Sequence, residues 1–127
     1  MKLKNILIVV DDVERSKNFY CHLFGLRVVT DFGGNVILTE GLVLQERKLW
    51  DGLIGESSIS GGNDVELYFE ENNMDAFLKK LEGWPEPVRY LHAPAENAWG
   101  KRVVRIADPD GHMIEIGESK DYAAQKQ

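Results

Sequence analysis

The feature that most constrains this chain is that it repeats itself. The segment Asn5–Glu14, shifted by 61 positions, falls on Glu66–Asp75. Each copy opens with a short apolar run and continues into a helix start of the form Asp/Asn-x-x-Glu/Asp. Asp11 is expected to cap the first helix, with Glu14 in its first turn, and Asn72 and Asp75 are expected to do the same for the second. Val13, Tyr20, Leu23 and Phe24 then recur at helical spacing, as do Met74, Phe77, Leu78 and Leu81. Gly25 and Gly83 follow, where a left-handed helix stop favours glycine. Three β-rich runs separated by Gly, Asn or Asp-Pro-Asp-Gly turns complete each copy. Each unit therefore reads βαβββ. Two copies at this period predict a paired module rather than a solenoid.

The fold class expected is α+β, with one domain over residues 1–127. Module one spans about 3–47, a connector 48–62, module two about 63–118, and a polar, frayed tail 119–127. The connector is rich in Gly and Ser but holds Leu49, Trp50, Leu53 and Ile54. It reads as a linker with a short helical turn that buries these side chains, in preference to a mobile lid over a site.

The sequence has 15 basic and 21 acidic residues, for a net charge of −6, and the excess acid lies after residue 60. Neither half offers the basic surface that nucleic-acid binding requires. No segment approaches the length of a membrane span or carries a leader pattern. The single cysteine, Cys21, excludes an internal disulfide. These features predict a soluble cytoplasmic protein with no nucleic-acid or membrane partner.

Strand alternation assigns faces. Ile6, Ile8 and Val10, and Leu67 and Phe69, are expected to pack beneath the helices. Asn5, Leu7 and Val9, and Glu66, Tyr68 and Glu70, take the opposite face. Four residues past the turn glycines Gly41 and Gly111 stand Gln45 and Glu115. Asn5, Gln45, Glu66 and Glu115 thus occupy two pairs of matched positions on helix-free faces, and they converge if the two sheets curl together. His92 has the parity of Val88 and Tyr90 and precedes a loop containing Trp99, so both are candidate pocket residues. With a four-residue turn at Asp108–Gly111, Val104 pairs with Glu115, and Arg102 then shares the Glu115 face. A one-residue change of register sends Arg102 to the other side.

Two motifs resemble the vicinal oxygen chelate superfamily, which includes glyoxalase I, extradiol dioxygenases, fosfomycin-modifying enzymes and bleomycin-binding proteins. Asp12-x-x-x-Ser16-x-x-Phe19-Tyr20 followed by Leu23-Phe24-Gly25-Leu26 is similar to its first helix. Asp108-Pro109-Asp110-Gly111-His112-x-Ile114-Glu115 is similar to its closing hairpin. The resemblance runs from Asn5 to Glu118. It implies paired βαβββ modules forming a cupped eight-stranded mixed sheet, commonly in homodimers. It also implies metal ligands at the positions of Asn5, Glu66 and Glu115, with Gln45 as the fourth. Where the family normally has histidine, this chain has Asn5 and Glu66. Two carboxylates and two amides suit a weakly held hard cation (Mg²⁺, Mn²⁺ or Ca²⁺) better than Zn²⁺, Ni²⁺ or Fe²⁺.

Two function classes follow. The first is a glyoxalase- or bleomycin-resistance-like protein that binds a small organic molecule through Asn5, Gln45, Tyr68, His92, Trp99 and Arg102, without a transition metal or other cofactor. The second is a lyase, isomerase or dioxygenase in which Glu66 and Glu115 hold a metal or act as catalytic base.

Overall fold

The computed structural model describes residues 1–119, so the expected polar tail from residue 120 onward lies outside the described residues. The chain forms two compact units, Met1–Ser60 and a second that begins at Gly61. In the first, β1 (Ile6–Val10) leads into α1 (Val13–Phe24), then β2 (Val28–Asp31), β3 (Asn35–Leu38), β4 (Leu42–Glu46) and α2 (Arg47–Ile54). The second runs β5 (Glu66–Glu71), α3 (Met74–Glu82), β6 (Arg89–Glu96), β7 (Arg102–Ala107) and β8 (Met113–Glu118). The eight strands form two four-stranded mixed sheets, ordered β1-β4-β3-β2 and β5-β8-β7-β6. In each sheet the first strand pairs in parallel with the last, and the other pairs are antiparallel. A parallel pair needs a crossover, and the helix after the first strand supplies it.

The alternation expected from sequence builds both cores. In the first unit Ile8, Val10, Val13, Phe19, Tyr20, Leu23, Val36, Leu38 and Leu44 are buried. Phe19 meets Tyr20 edge to face, with ring centroids 5.2 Å apart, a favoured aromatic geometry. In the second unit Met74, Phe77 and Leu81 of α3 are buried, as are Val104, Ile106, Ile114 and Ile116. Ile6 departs from the expectation. It stands at the start of an edge strand and is exposed.

The helix caps fall one residue later than expected in both copies. Asp12 is extended and its Oδ1 accepts from Arg15 N at 3.1 Å; Asn73 Oδ1 accepts from Ala76 N at 3.2 Å. The cap oxygen must reach the third residue beyond it, and only the second acid or amide of each pair does so. Asp11, freed from capping, pairs with Arg47 Nε at 2.5 Å. Gly25 ends α1 in the left-handed conformation, φ 70°, but Gly83 has φ −84° and closes α3 through its N–H to the Lys79 carbonyl.

The connector does contain a helix, α2, which follows β4 without a break. Its apolar side chains are not buried: Leu53 is 76% exposed, and Leu49 and Ile54 are also exposed. Leu49 lies against Gly34, and polar contacts add to this. Arg47 Nη1 donates to Ser58 Oγ at 2.8 Å, and Ser58 N donates to Asp51 Oδ1 at 2.9 Å. Among the described residues, no helix is long and apolar enough to cross a membrane.

Candidate functional site

The helix-free face of the second sheet gathers charge around a residue that the sequence reading passed over, Arg105. Its Nε donates to Glu66 Oε1 at 3.0 Å, its Nη2 donates to the Glu115 carboxylate, and its Nη1 lies 3.3 Å from His92 Nε2. His92 Nδ1 lies 2.9 Å from the Ala93 carbonyl. A proton on Nδ1 satisfies that oxygen and leaves Nε2 to accept from Arg105. Strand register explains the gathering. Tyr68 of β5 stands beside Glu115 of β8, Glu115 beside Arg105 of β7, and Arg105 beside His92 of β6. One row across the sheet thus carries all four side chains, with Glu66 two residues from Tyr68 on the same face.

Arg105 was missed because the closing hairpin is one residue longer than a four-residue turn. Asp108 N donates to the His112 carbonyl at 2.9 Å, so the loop takes in His112 and Ala107 pairs with Met113. The Asp108 side chain fixes this loop: Oδ1 accepts from the Asp110 and His112 N–H groups, and Oδ2 lies 2.7 Å from His112 Nδ1. Every β7–β8 pair shifts accordingly, which places Arg105, not Val104, opposite Glu115. Arg102 is therefore corrected to the helix side. It pairs with Asp75 of α3 at 2.6 Å and Glu118 at 2.8 Å, and both partners, Glu118 first, favour its charged form. A second irregularity, a bulge between Tyr90 and His92, sends these residues to opposite faces although they share parity. Asp108, Asp110 and His112 also bring their ligating atoms within 4.8 Å of one another, but Asp108 is already engaged in the turn.

Two hollows open on this face. One, about 330 Å³, is bounded by Tyr68, Glu70, Trp99, Lys101, Glu115 and Gly117. The other, about 350 Å³, is lined by His92, Ala95, Glu96, Arg105 and Glu115. Glu115, Asn97 and Val103 belong to both. Both volumes fall at the lower end of the range for small-ligand pockets. Partial desolvation, and then the charges of Glu70 and Glu115, push the Tyr68 phenol above its ordinary pKa. A third hollow, about 420 Å³, lies around Trp84, Pro85, Pro87 and Tyr90.

The matched positions of the first unit look different. Gln45 is 5% exposed; its Oε1 accepts from Asn35 Nδ2 at 2.8 Å and its Nε2 donates to the Gly34 carbonyl at 3.3 Å. Asn5 precedes β1 and is exposed. Register places Gln45 beside Val9, four residues from Asn5, or ~13 Å at the rise of a strand. The structure does not bring these two amides together. A divalent cation is poorly matched to this donor set. Glu66 and Glu115 already share a guanidinium, and the Gln45 amide is engaged at both ends.

Burial raises the pKa of the Cys21 thiol on α1, which keeps it protonated and a weak nucleophile.

Residues 3–121 match the family model of the glyoxalase-like domain. No curated protein matches the chain. Among solved structures, a protein of unknown function from Agrobacterium tumefaciens is 37% identical, with a TM-score of 0.80 over 94% of each chain. A lactoylglutathione lyase from the same species is 23% identical, with a TM-score of 0.69 over 94% of each chain. A glyoxalase/bleomycin resistance protein/dioxygenase from Nocardioides is 17% identical, with a TM-score of 0.68 over 93% of this chain and 83% of that one. The motifs, the paired βαβββ units and these similarities agree: the chain belongs to the glyoxalase-like domain family of the vicinal oxygen chelate superfamily.

Proposed function

We propose that this protein binds a small organic molecule on the helix-free face of its second sheet, and does so without a metal. The observation that carries the reading is Arg105. Its guanidinium stands where Glu66 and Glu115 would otherwise require a cation. Two carboxylates close together repel, a positive charge between them offsets that repulsion, and a covalently tethered one removes the need for an ion. Metal loading would have to displace Arg105 from both partners, so the metal-dependent lyase, isomerase or dioxygenase is the less supported alternative. Glu115 then serves as a binding carboxylate, with Tyr68, His92 and Trp99 as further contacts.

We further propose that the protein is a homodimer in a reducing, cytoplasmic setting. Val28, Val29 and Phe32, on and beside the edge strand β2, are exposed, and edge strands with apolar side chains favour cover by a second chain. Light scattering at micromolar concentration is expected to give twice the chain mass, and a monomer mass contradicts this part.

The functional test is a thermal-shift screen of small organic molecules, repeated after exhaustive chelation. Stabilising ligands are expected to act equally before and after, and elemental analysis is expected to find no stoichiometric Zn²⁺, Ni²⁺ or Fe²⁺. One tightly held transition metal per chain, or ligand effects abolished by chelator, overturns the proposal.

A further inference from the structure

We infer that the hollow lined by Tyr68, Trp99 and Glu115 takes a planar aromatic cation, its ring against the two aromatic side chains and its protonated nitrogen on the Glu115 carboxylate. The inference rests on the small-molecule reading above and names the ligand chemistry of that site.

Three independent features support it. The first is Trp99, 82% exposed on a loop that is nevertheless tightly organised. Asn97 Oδ1 accepts from the N–H groups of Trp99 and Lys101 at 2.9 and 3.1 Å, and Asn97 N donates to the Lys101 carbonyl at 2.7 Å. The chain thus holds a large indole in water on a fixed support, as a binding aromatic requires, whereas core packing would bury it.

The second is Gly117. A Cβ built there would lie 2.6 Å from Tyr68 Oη and 3.3 Å from its ring carbons. The Tyr68 ring therefore lies directly against the glycine backbone, on the floor of the hollow. Any larger residue at 117 lifts the ring away.

The third is charge. Glu115 gives one oxygen to Arg105, and among the described residues its Oε2 accepts no hydrogen bond. Glu70 lines the same hollow and forms no ion pair among the described residues. Arg105 is shared between Glu115 and Glu66, and Lys101 offsets Glu70, so the acids Glu66, Glu70 and Glu115 still outnumber the cations Arg105 and Lys101 around the hollow. Desolvation is the main cause of the raised Tyr68 pKa, and the charges of Glu70 and Glu115 add to it. A cation over aromatic faces beside a carboxylate gains from both the ring quadrupole and the ion pair. An aromatic anion would lose on both counts.

The test uses proflavine, a planar three-ring cation, and 9-anthracenecarboxylate, an anion of the same outline, titrated into the full chain at physiological ionic strength. Proflavine is expected to bind saturably, one per chain, and at least tenfold more tightly than the carboxylate. Trp99→Ala, Gly117→Ala and Glu115→Gln are each expected to weaken it at least tenfold, with circular dichroism unchanged. Trp84→Ala, at the separate hollow, is expected to leave it unchanged. If the carboxylate binds as well as proflavine, this inference fails while the small-molecule reading stands. Proflavine binding that survives both Trp99→Ala and Glu115→Gln, or that is lost in Trp84→Ala, places the site elsewhere and overturns it. If neither compound binds at millimolar concentration, and the broader screen also finds no ligand, both readings fail together.

Discussion

The same hairpin position holds a neutral pair in one half of the molecule and a charged pair in the other. Asn35 faces Gln45 across β3 and β4, and Arg105 faces Glu115 across β7 and β8. In the first unit the two amides satisfy each other and the Gly34 carbonyl, and Gln45 is buried. In the second, the Arg105 side chain is 42% exposed, Glu115 is 15% exposed, and one carboxylate oxygen takes no partner. A saturated, buried pair has nothing left to offer a ligand. A charged pair at a hollow does. A repeat can thus duplicate a scaffold without duplicating a site.

Exchanging the residue types between the two halves is expected to have the largest effect. Gln45→Glu is expected to destabilise the protein by about 3 kcal/mol or more in urea unfolding, because it buries a charge with no cation beside it. The reverse change, Glu115→Gln, is expected to cost no more than about 1 kcal/mol, since the partly exposed Arg105 keeps Glu66 and water. Equal costs for the two variants would show that the halves do not differ as described. Of intermediate size is Asn35→Ala, expected to cost about 1–3 kcal/mol by leaving the buried Gln45 oxygen without its donor. Ligand affinity is expected to be unaffected by it.

The smallest effect concerns Tyr68. Negative neighbours disfavour the phenolate, so removing one favours it, and Glu115→Gln is expected to lower the Tyr68 pKa toward its ordinary value of about 10. Absorbance titration of the phenol, with Tyr68→Phe as the blank, measures the change. A rise, or no movement, argues against a shared negative field in the hollow.

Much of this was legible in the sequence, and the losses have identifiable causes. The period of 61 residues and strand alternation were enough for βαβββ units and for the faces of Glu66, Tyr68 and Glu115. Alternation fixes a face regardless of neighbours. It does not fix which residue stands opposite, because that depends on turn length. The Asp108 side chain lengthens one turn by a residue, and Arg105 replaces Arg102 on the site face. The count from the turn glycines also equated Gln45 with Glu115, yet Gln45 pairs with Val9, whose repeat mate Glu70 pairs with Gly117. The hairpin has slid by two residues against the first strand, which preserves parity and changes neighbours. The bulge beside His92 and the later helix caps are likewise matters of one residue, below what periodicity detects. The signal that could have found Arg105 was an Asx-turn reading of Asp108-Pro-Asp-Gly-His112, which predicts the longer loop.

Whether Arg105 serves as the built-in cation of this site is read by a Mn²⁺ titration followed by paramagnetic resonance. The native protein is expected to show no specific Mn²⁺ binding at micromolar concentration. Arg105→Gln, which leaves Glu66, Glu115 and His92 facing one another without the guanidinium, is expected to bind one Mn²⁺ per chain, at least tenfold more tightly than the native protein. A native protein that binds one Mn²⁺ tightly, with no gain in Arg105→Gln, would contradict the account.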